Sequence, residues 1–229
     1  MRAPRQLPLS LPHATQYGRD DFVAGPSNGE ALALIDRWPD WPSPCVVLSG
    51  PPGAGKTHLA HIWAEGAGAK ILPAGELASS SRGLKAAFAL AVDEMRPGRI
   101  PEAALFHLMN SAGELGGSLL LVAPVPAEEW QVGLPDLRSR LRLATSVALG
   151  APGDDELRKV LVKLFADRQL IVDLPVIDFL LLRMERSLGA AIALVDALDR
   201  EALAAGRRIT RPMAASVLDA GGEEGSFRF

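Results

Sequence analysis

The residues with the clearest chemistry run from Gly50 to Thr57, as Gly50-Pro51-Pro52-Gly53-Ala54-Gly55-Lys56-Thr57. The stretch fits G-x-x-x-x-G-K-[ST]. It follows the apolar run Cys45–Ser49 and opens a helical segment, the setting in which this pattern binds phosphate. Glycines at 53 and 55 let the backbone wrap until its N–H groups converge on phosphate oxygens, and a helix N-terminus there adds partial positive charge. Lys56 is expected to neutralise the β- and γ-phosphates, and the Thr57 hydroxyl to ligate Mg²⁺. Asp93 and Glu94 follow a second apolar run, Phe88–Val92. A carboxylate at the carboxyl end of a buried strand points into the ligand crevice of an open sheet. Asp93 is therefore expected to hold Mg²⁺, directly or through water, and Glu94 to polarise an attacking water as general base. Arg140, in Leu134-Pro-Asp-Leu-Arg-Ser-Arg-Leu141, is a candidate arginine finger for a neighbour's nucleotide, with Arg138 and Arg142 as rivals. Arg186 lies between two helical segments and is a candidate for contact with a γ-phosphate, with Arg183 as its competitor.

These side chains need a frame, and the chain alternates apolar strands with helices up to residue 149. The strands are expected at Cys45–Ser49, Lys70–Leu72, Phe88–Val92, Ser118–Ala123 and Thr145–Leu149. Helices are expected at Glu30–Arg37, His58–Glu65, Glu76–Ala87 and Pro101–Gly113. Uniformly apolar strands alternating with helices imply a doubly wound α/β fold, a parallel sheet covered on both faces. After Gly150-Ala-Pro-Gly153 only helical patterns follow, at 154–168, 175–185, 187–205 and 211–219. Asp154 and Ser187 stand at N-cap positions, Pro175 and Pro212 in first turns, and Gly206 at a stop. The reading is a flexible arm at 1–20, an α/β domain at 21–150, a helical domain at 151–220 and a tail at 221–229.

Composition narrows the classes. The 229 residues carry 24 Lys and Arg against 27 Asp and Glu, a net charge of -3, without the basic surplus of a protein that coats nucleic acid. One cysteine, Cys45, precludes an internal disulfide framework, and its apolar strand makes it a small core filler. His13, His58, His61 and His107 lack metal-site spacing. No apolar run reaches the roughly 18–20 residues that span a bilayer, and the N-terminus is too Pro-broken for a signal peptide, so a cytoplasmic protein is expected.

Together the phosphate loop, the Asp-Glu strand end, the arginine before the last strand and the helical segment resemble an AAA+ module with its lid. Within that class the chain resembles the DnaA-related branch and its Hda/HdaA regulators of replication initiation. Asp21-Phe-Val-Ala-Gly-Pro-Ser-Asn28 is similar to the stretch that lines the adenine pocket, which implies base contacts for Phe22 and Val23. The phosphate loop runs on as GKTHLAHIWA, bringing His58 into the nucleotide site by resemblance. LPDLRSRL is very close to the family's box VII and selects Arg140 as the finger. RSLGAAIALV is similar to the sensor 2 segment and selects Arg186.

The resemblance implies ADP or ATP with Mg²⁺ as ligands and DnaA as a partner. The segment Gln6-Leu-Pro-Leu-Ser-Leu11 resembles the family's peptide for the DNA polymerase sliding clamp. In extended form it sets Leu7, Leu9 and Leu11 toward an apolar groove while Gln6 makes polar anchoring bonds. The short stretch after the lid, GGEEGSFRF, is not a DNA reader, so DNA is expected to be reached only through the clamp. A homo-oligomer is compatible with all of this. One departure concerns sensor 1: Val122, Ala123 and Pro124 stand where the family has a polar residue, which implies weak intrinsic hydrolysis. Two rival functions are a helicase-recruiting adaptor and a self-sufficient ATPase.

Overall fold

The apolar runs form strands β1 (Cys45–Ser49), β2 (Lys70–Pro73), β3 (Ala89–Asp93), β4 (Ser118–Val122) and β5 (Thr145–Ala148) in a computed structural model that describes residues 17–80 and 87–223. They pair in parallel as a five-stranded sheet in the order β2-β3-β4-β1-β5. Alternate side chains of each strand enter different cores. Val46, Leu48, Ala91, Leu120 and Val122 pack with residues of α1 (Gly29–Asp36) and α2 (Lys56–Ala67), including Ile35, Leu59 and Trp63. Cys45, Val47, Leu90, Val92, Leu119 and Leu121 meet residues of α3 (Leu77–Ser80), α4 (Glu102–Leu115) and α5 (Pro135–Leu141), including Leu77, Leu105, Leu108 and Leu137. Each fully buried Leu or Val is worth about 1.5–3 kcal/mol relative to exposure, so a sheet covered on both faces favours unbroken apolar runs over alternation. The doubly wound α/β class follows from this arrangement.

Several boundaries differ from the sequence reading, each for a local reason. The second helix begins at Lys56 rather than His58, because Gly55 (φ 97°) is its N-cap, so the last residues of the phosphate loop are already helical. It continues through exposed Gly66, whose propensity penalty is only about 1 kcal/mol, and stops at Gly68 in left-handed conformation. The helix expected over Glu76–Ala87 is a 3-10 turn at Ala74–Glu76 followed by the four residues of α3; Ala87 is non-helical, and 81–86 lie outside the described residues. The arm expected through residue 20 is already fastened at Tyr17, and Arg19–Asp21 form a 3-10 turn.

The chain divides into two compact units, Tyr17–Ala151 and a second that begins at Pro152. The second contains α6 (Asp154–Asp167), α7 (Leu174–Leu181), α8 (Leu188–Ala205) and α9 (Arg211–Glu223). Its core includes Leu157, Leu161, Phe165, Leu180, Leu194 and Leu198. The N-cap of α6 is Gly153 and not Asp154, because the Glu156 carboxylate reaches back to accept the Gly153 N–H at 2.9 Å. Ser187 caps α8 by accepting the Ala190 N–H at 3.1 Å, Pro175 lies in the first turn of α7, and Gly206 ends α8 at φ 60°. Helix α9 extends past residue 219 to Glu223. Among the described residues no helix is long and apolar enough to cross a membrane.

Candidate nucleotide-binding site

Strand β1, held between β4 and β5, ends directly in the phosphate loop. Gly50 has φ 145°, and a Cβ there would lie 2.4 Å from the Leu149 carbonyl oxygen, so a side chain at this position would collide with the end of β5. Gly53 (φ 70°) turns the loop back, and Ala54 is buried beneath it. The Lys56 ammonium donates to the carbonyls of Gly50 and Pro51, both at 2.7 Å, which fixes its head over the loop. Burial holds the Lys56 pKa below the usual lysine value, partly offset by the charge of Asp93. Pro51 and Pro52 form the exposed rim.

Asp93 ends β3 and joins this site across the sheet. Its carboxylate accepts the Thr57 hydroxyl at 2.8 Å and the Glu94 N–H at 2.6 Å. Hydroxyl and carboxylate oxygens side by side are a hard donor set suited to Mg²⁺, which binds through one or two protein oxygens together with phosphate oxygens. Among the described residues no group of three or more His, Cys, Asp or Glu makes a metal site by itself. Glu94 is exposed with φ 58°, a left-handed conformation that costs a non-glycine residue on the order of 1–3 kcal/mol and is found at functional sites.

The segment before α1 lies against α2. Phe22 is buried and meets the His58 ring edge-on at 5.2 Å, while His58 Nε2–H donates to the Gly18 carbonyl at 2.9 Å. Tyr17 stacks on His61 at 4.2 Å with a 4° interplanar angle. Buried Asn28 donates to the Val23 carbonyl at 3.0 Å and accepts the Gly25 N–H at 2.9 Å, closing the loop that holds Phe22 and Val23. The Gly150 N–H donates to the Ser27 carbonyl at 2.8 Å, tying this loop to the end of the sheet.

The arginines separate by their partners. Arg138 donates to the Val132 carbonyl and lies near Glu102, and Arg142 lines a cavity of about 130 Å³ with Arg138, Glu128 and Trp130. Arg140 is exposed, two residues along α5 from Arg138, and makes no side-chain hydrogen bond or ion pair among the described residues. In the helical unit Arg186 pairs with Asp154 at 3.1 Å, both half-exposed, whereas Arg183 lies over the Phe179 ring at 4.0 Å.

Residues 154–218 match the family model described as the lid domain of Hda. Domain III of the Thermotoga maritima replication initiation protein DnaA superposes with a TM-score of 0.76 at 14% identity, covering 90% of this chain and 97% of that one. The chain has the fold of DnaA domain III and carries a stretch that matches the lid of Hda. The same fold extends to the Thermotoga maritima RuvB Holliday junction branch migration motor, with a TM-score of 0.67, 18% identity and coverage of 90% of this chain and 72% of that chain. It extends also to a replication initiator DnaA bound to AMPPCP and single-stranded DNA, with a TM-score of 0.64, 16% identity and coverage of 80% and 64%.

The segment expected to carry sensor 1 is apolar in the structure as well as in the sequence. Val122 and Ala123 are buried, the Ala123 N–H is spent on the Leu48 carbonyl at 2.9 Å, and Pro124 has no donor. Gln6, Leu7, Leu9 and Leu11 lie outside the described residues. Three contributors escape a reading of the sequence. Asn28 stands in its motif without an assigned role; Tyr17 and Glu102 form contacts with residues distant in sequence that no motif announces.

Proposed function

We propose that this protein is a negative regulator of replication initiation that stimulates hydrolysis of DnaA-bound ATP while tethered to the DNA-loaded sliding clamp. Its own nucleotide, ADP or ATP, sits against Phe22, Val23 and His58. The N–H groups of Gly53–Thr57 and the Lys56 ammonium bind its phosphates. Mg²⁺, when bound through Thr57 and Asp93, neutralises phosphate charge. Lys56 exchanges its two carbonyl partners for phosphate oxygens, which have the stronger claim on an ammonium. Glu94 orients water, but Val122, Ala123 and Pro124 offer no side-chain hydrogen bond to it or to the γ-phosphate. Slow turnover follows, and the module works as a nucleotide-held scaffold rather than a self-sufficient ATPase.

Arg140 supplies the activity in trans. It donates to the γ-phosphate of the ATP on DnaA and stabilises charge that develops during transfer to water, an effect worth roughly 10³–10⁵ in rate in the best-studied nucleotide hydrolases. The observation that carries this reading is the contrast within α5, where Arg138 is tied to backbone and Arg140 is presented without a side-chain partner among the described residues. Gln6, Leu7, Leu9 and Leu11 bring the module to the clamp, so DNA is reached indirectly. Such a protein works in the cytoplasm.

The test is hydrolysis of DnaA-bound ATP with and without clamp loaded on DNA. Full-length protein is expected to stimulate only with loaded clamp, and replacing Gln6 and Leu7 by Ala to abolish both stimulation and clamp pull-down while nucleotide binding persists. Stimulation that ignores the clamp would refute the tethered reading.

A further inference from the structure

Helix α5 is short for a carrier of a catalytic side chain. It has seven residues and no side-chain cap on its N-terminal N–H groups. A helix of that length has little stability of its own and depends on tertiary contacts. Leu137 and Leu141 anchor its buried face. They leave open how the start of the helix is held, and thus the direction in which Arg140 leaves the surface.

The start is held by a carboxylate from another element. Glu102, first residue of α4, accepts the Gly133 N–H through one oxygen at 2.9 Å and the Leu134 N–H through the other at 2.7 Å. Arg138, one turn inside α5, donates back to the Val132 carbonyl. Three consecutive residues before the helix are thus strapped, two to α4 and one to α5 itself. Helix α4 is a firm base because Leu105, Leu108, Met109 and Ala112 are buried in the core. The two N–H groups, aided by the Arg138 charge, hold the Glu102 carboxyl below its usual value, so it is ionised near neutral pH and accepts with both oxygens.

We propose that Glu102 is a positioning residue for the trans-acting arginine, fixing α5 through the Val132–Leu134 strap and thereby aiming Arg140. The inference rests on Arg140 acting on a partner's nucleotide. A carboxylate suits the task because both backbone donors point at it. Glutamine keeps the size but turns an amide N–H₂ toward one of those donors, losing half the strap.

The experiment titrates DnaA–ATP hydrolysis, with clamp loaded on DNA, against full-length wild type, Glu102→Gln, Glu102→Ala, Arg140→Ala and the Glu102→Ala/Arg140→Ala double variant. A displaced reacting group can lose about 10²-fold in rate. The maximal stimulated rate is expected to fall about 10-fold for Glu102→Gln and about 100-fold for Glu102→Ala. The half-saturating concentration and the protein's own ADP affinity stay within about twofold of wild type. The double variant is expected to match Arg140→Ala, as two residues acting in series require. Full stimulation by Glu102→Ala, while Arg140→Ala is inactive, overturns the positioning role alone. Parallel loss of ADP affinity or folding in both Glu102 variants also overturns it, because the effect is then general stability. Normal stimulation by Arg140→Ala overturns the trans-acting reading instead.

Discussion

The phosphate loop and helix α5 each present a cation for phosphate, and they hold it in opposite ways. Lys56 is secured by its own loop, with two carbonyls at 2.7 Å, and nearby Thr57 and Asp93 are bonded to each other. Arg140 has no side-chain partner among the described residues; the backbone leading to its helix is secured instead, by Glu102 and Arg138. The two arrangements suit two different ligands. A group intended for the protein's own ligand can be pre-paired with oxygens that the ligand's phosphates later replace. A group intended for another molecule's ligand gains from staying free on a fixed support, since every local partner would compete with the distant one.

Mutations can break this contrast. The larger expected effect is at Lys56. Lys56→Ala removes the ammonium while leaving the loop carbonyls in place, and loss of one partner of a hydrogen-bonded charge pair costs about 2–5 kcal/mol. ADP affinity measured by calorimetry should fall by that amount, whereas Arg140→Ala should bind ADP like wild type. Equal effects of the two variants on ADP affinity would erase the distinction between the sites.

A smaller effect sharpens the same side. Asn28→Ala removes two hydrogen bonds and leaves the Gly25 N–H without its acceptor, a loss of about 1–3 kcal/mol. Urea unfolding should show that loss of stability, with a modest drop in ADP affinity as the Phe22–Val23 loop loosens. Unchanged unfolding would show that Asn28 does not organise the loop.

Legibility in the sequence followed the range of the interactions. The phosphate loop was readable because its chemistry is local, with glycines, lysine and threonine in a fixed frame between a strand and a helix. The sheet was readable because burial on both faces leaves continuous apolar runs such as Cys45–Ser49 and Ser118–Val122. Sequence position alone left Arg138, Arg140 and Arg142 as rivals; the structure gives Arg138 a backbone partner. Glu102 was not legible, because its donors at Gly133 and Leu134 are 31 and 32 residues away and a glutamate in a helix's first turn is ordinary. The helix expected through Ala87 failed for the converse reason, since local propensity does not decide where the chain must enter β3.

Everything proposed for α5 turns on Arg140 acting on ATP bound to another protein. The most direct test is the rate of DnaA-bound ATP hydrolysis with clamp-loaded DNA, comparing wild type with Arg140→Ala at saturating concentration. The variant is expected to lose roughly 10³-fold or more of the stimulated rate while keeping its own ADP binding and its attachment to the clamp. Stimulation by Arg140→Ala equal to wild type would contradict it.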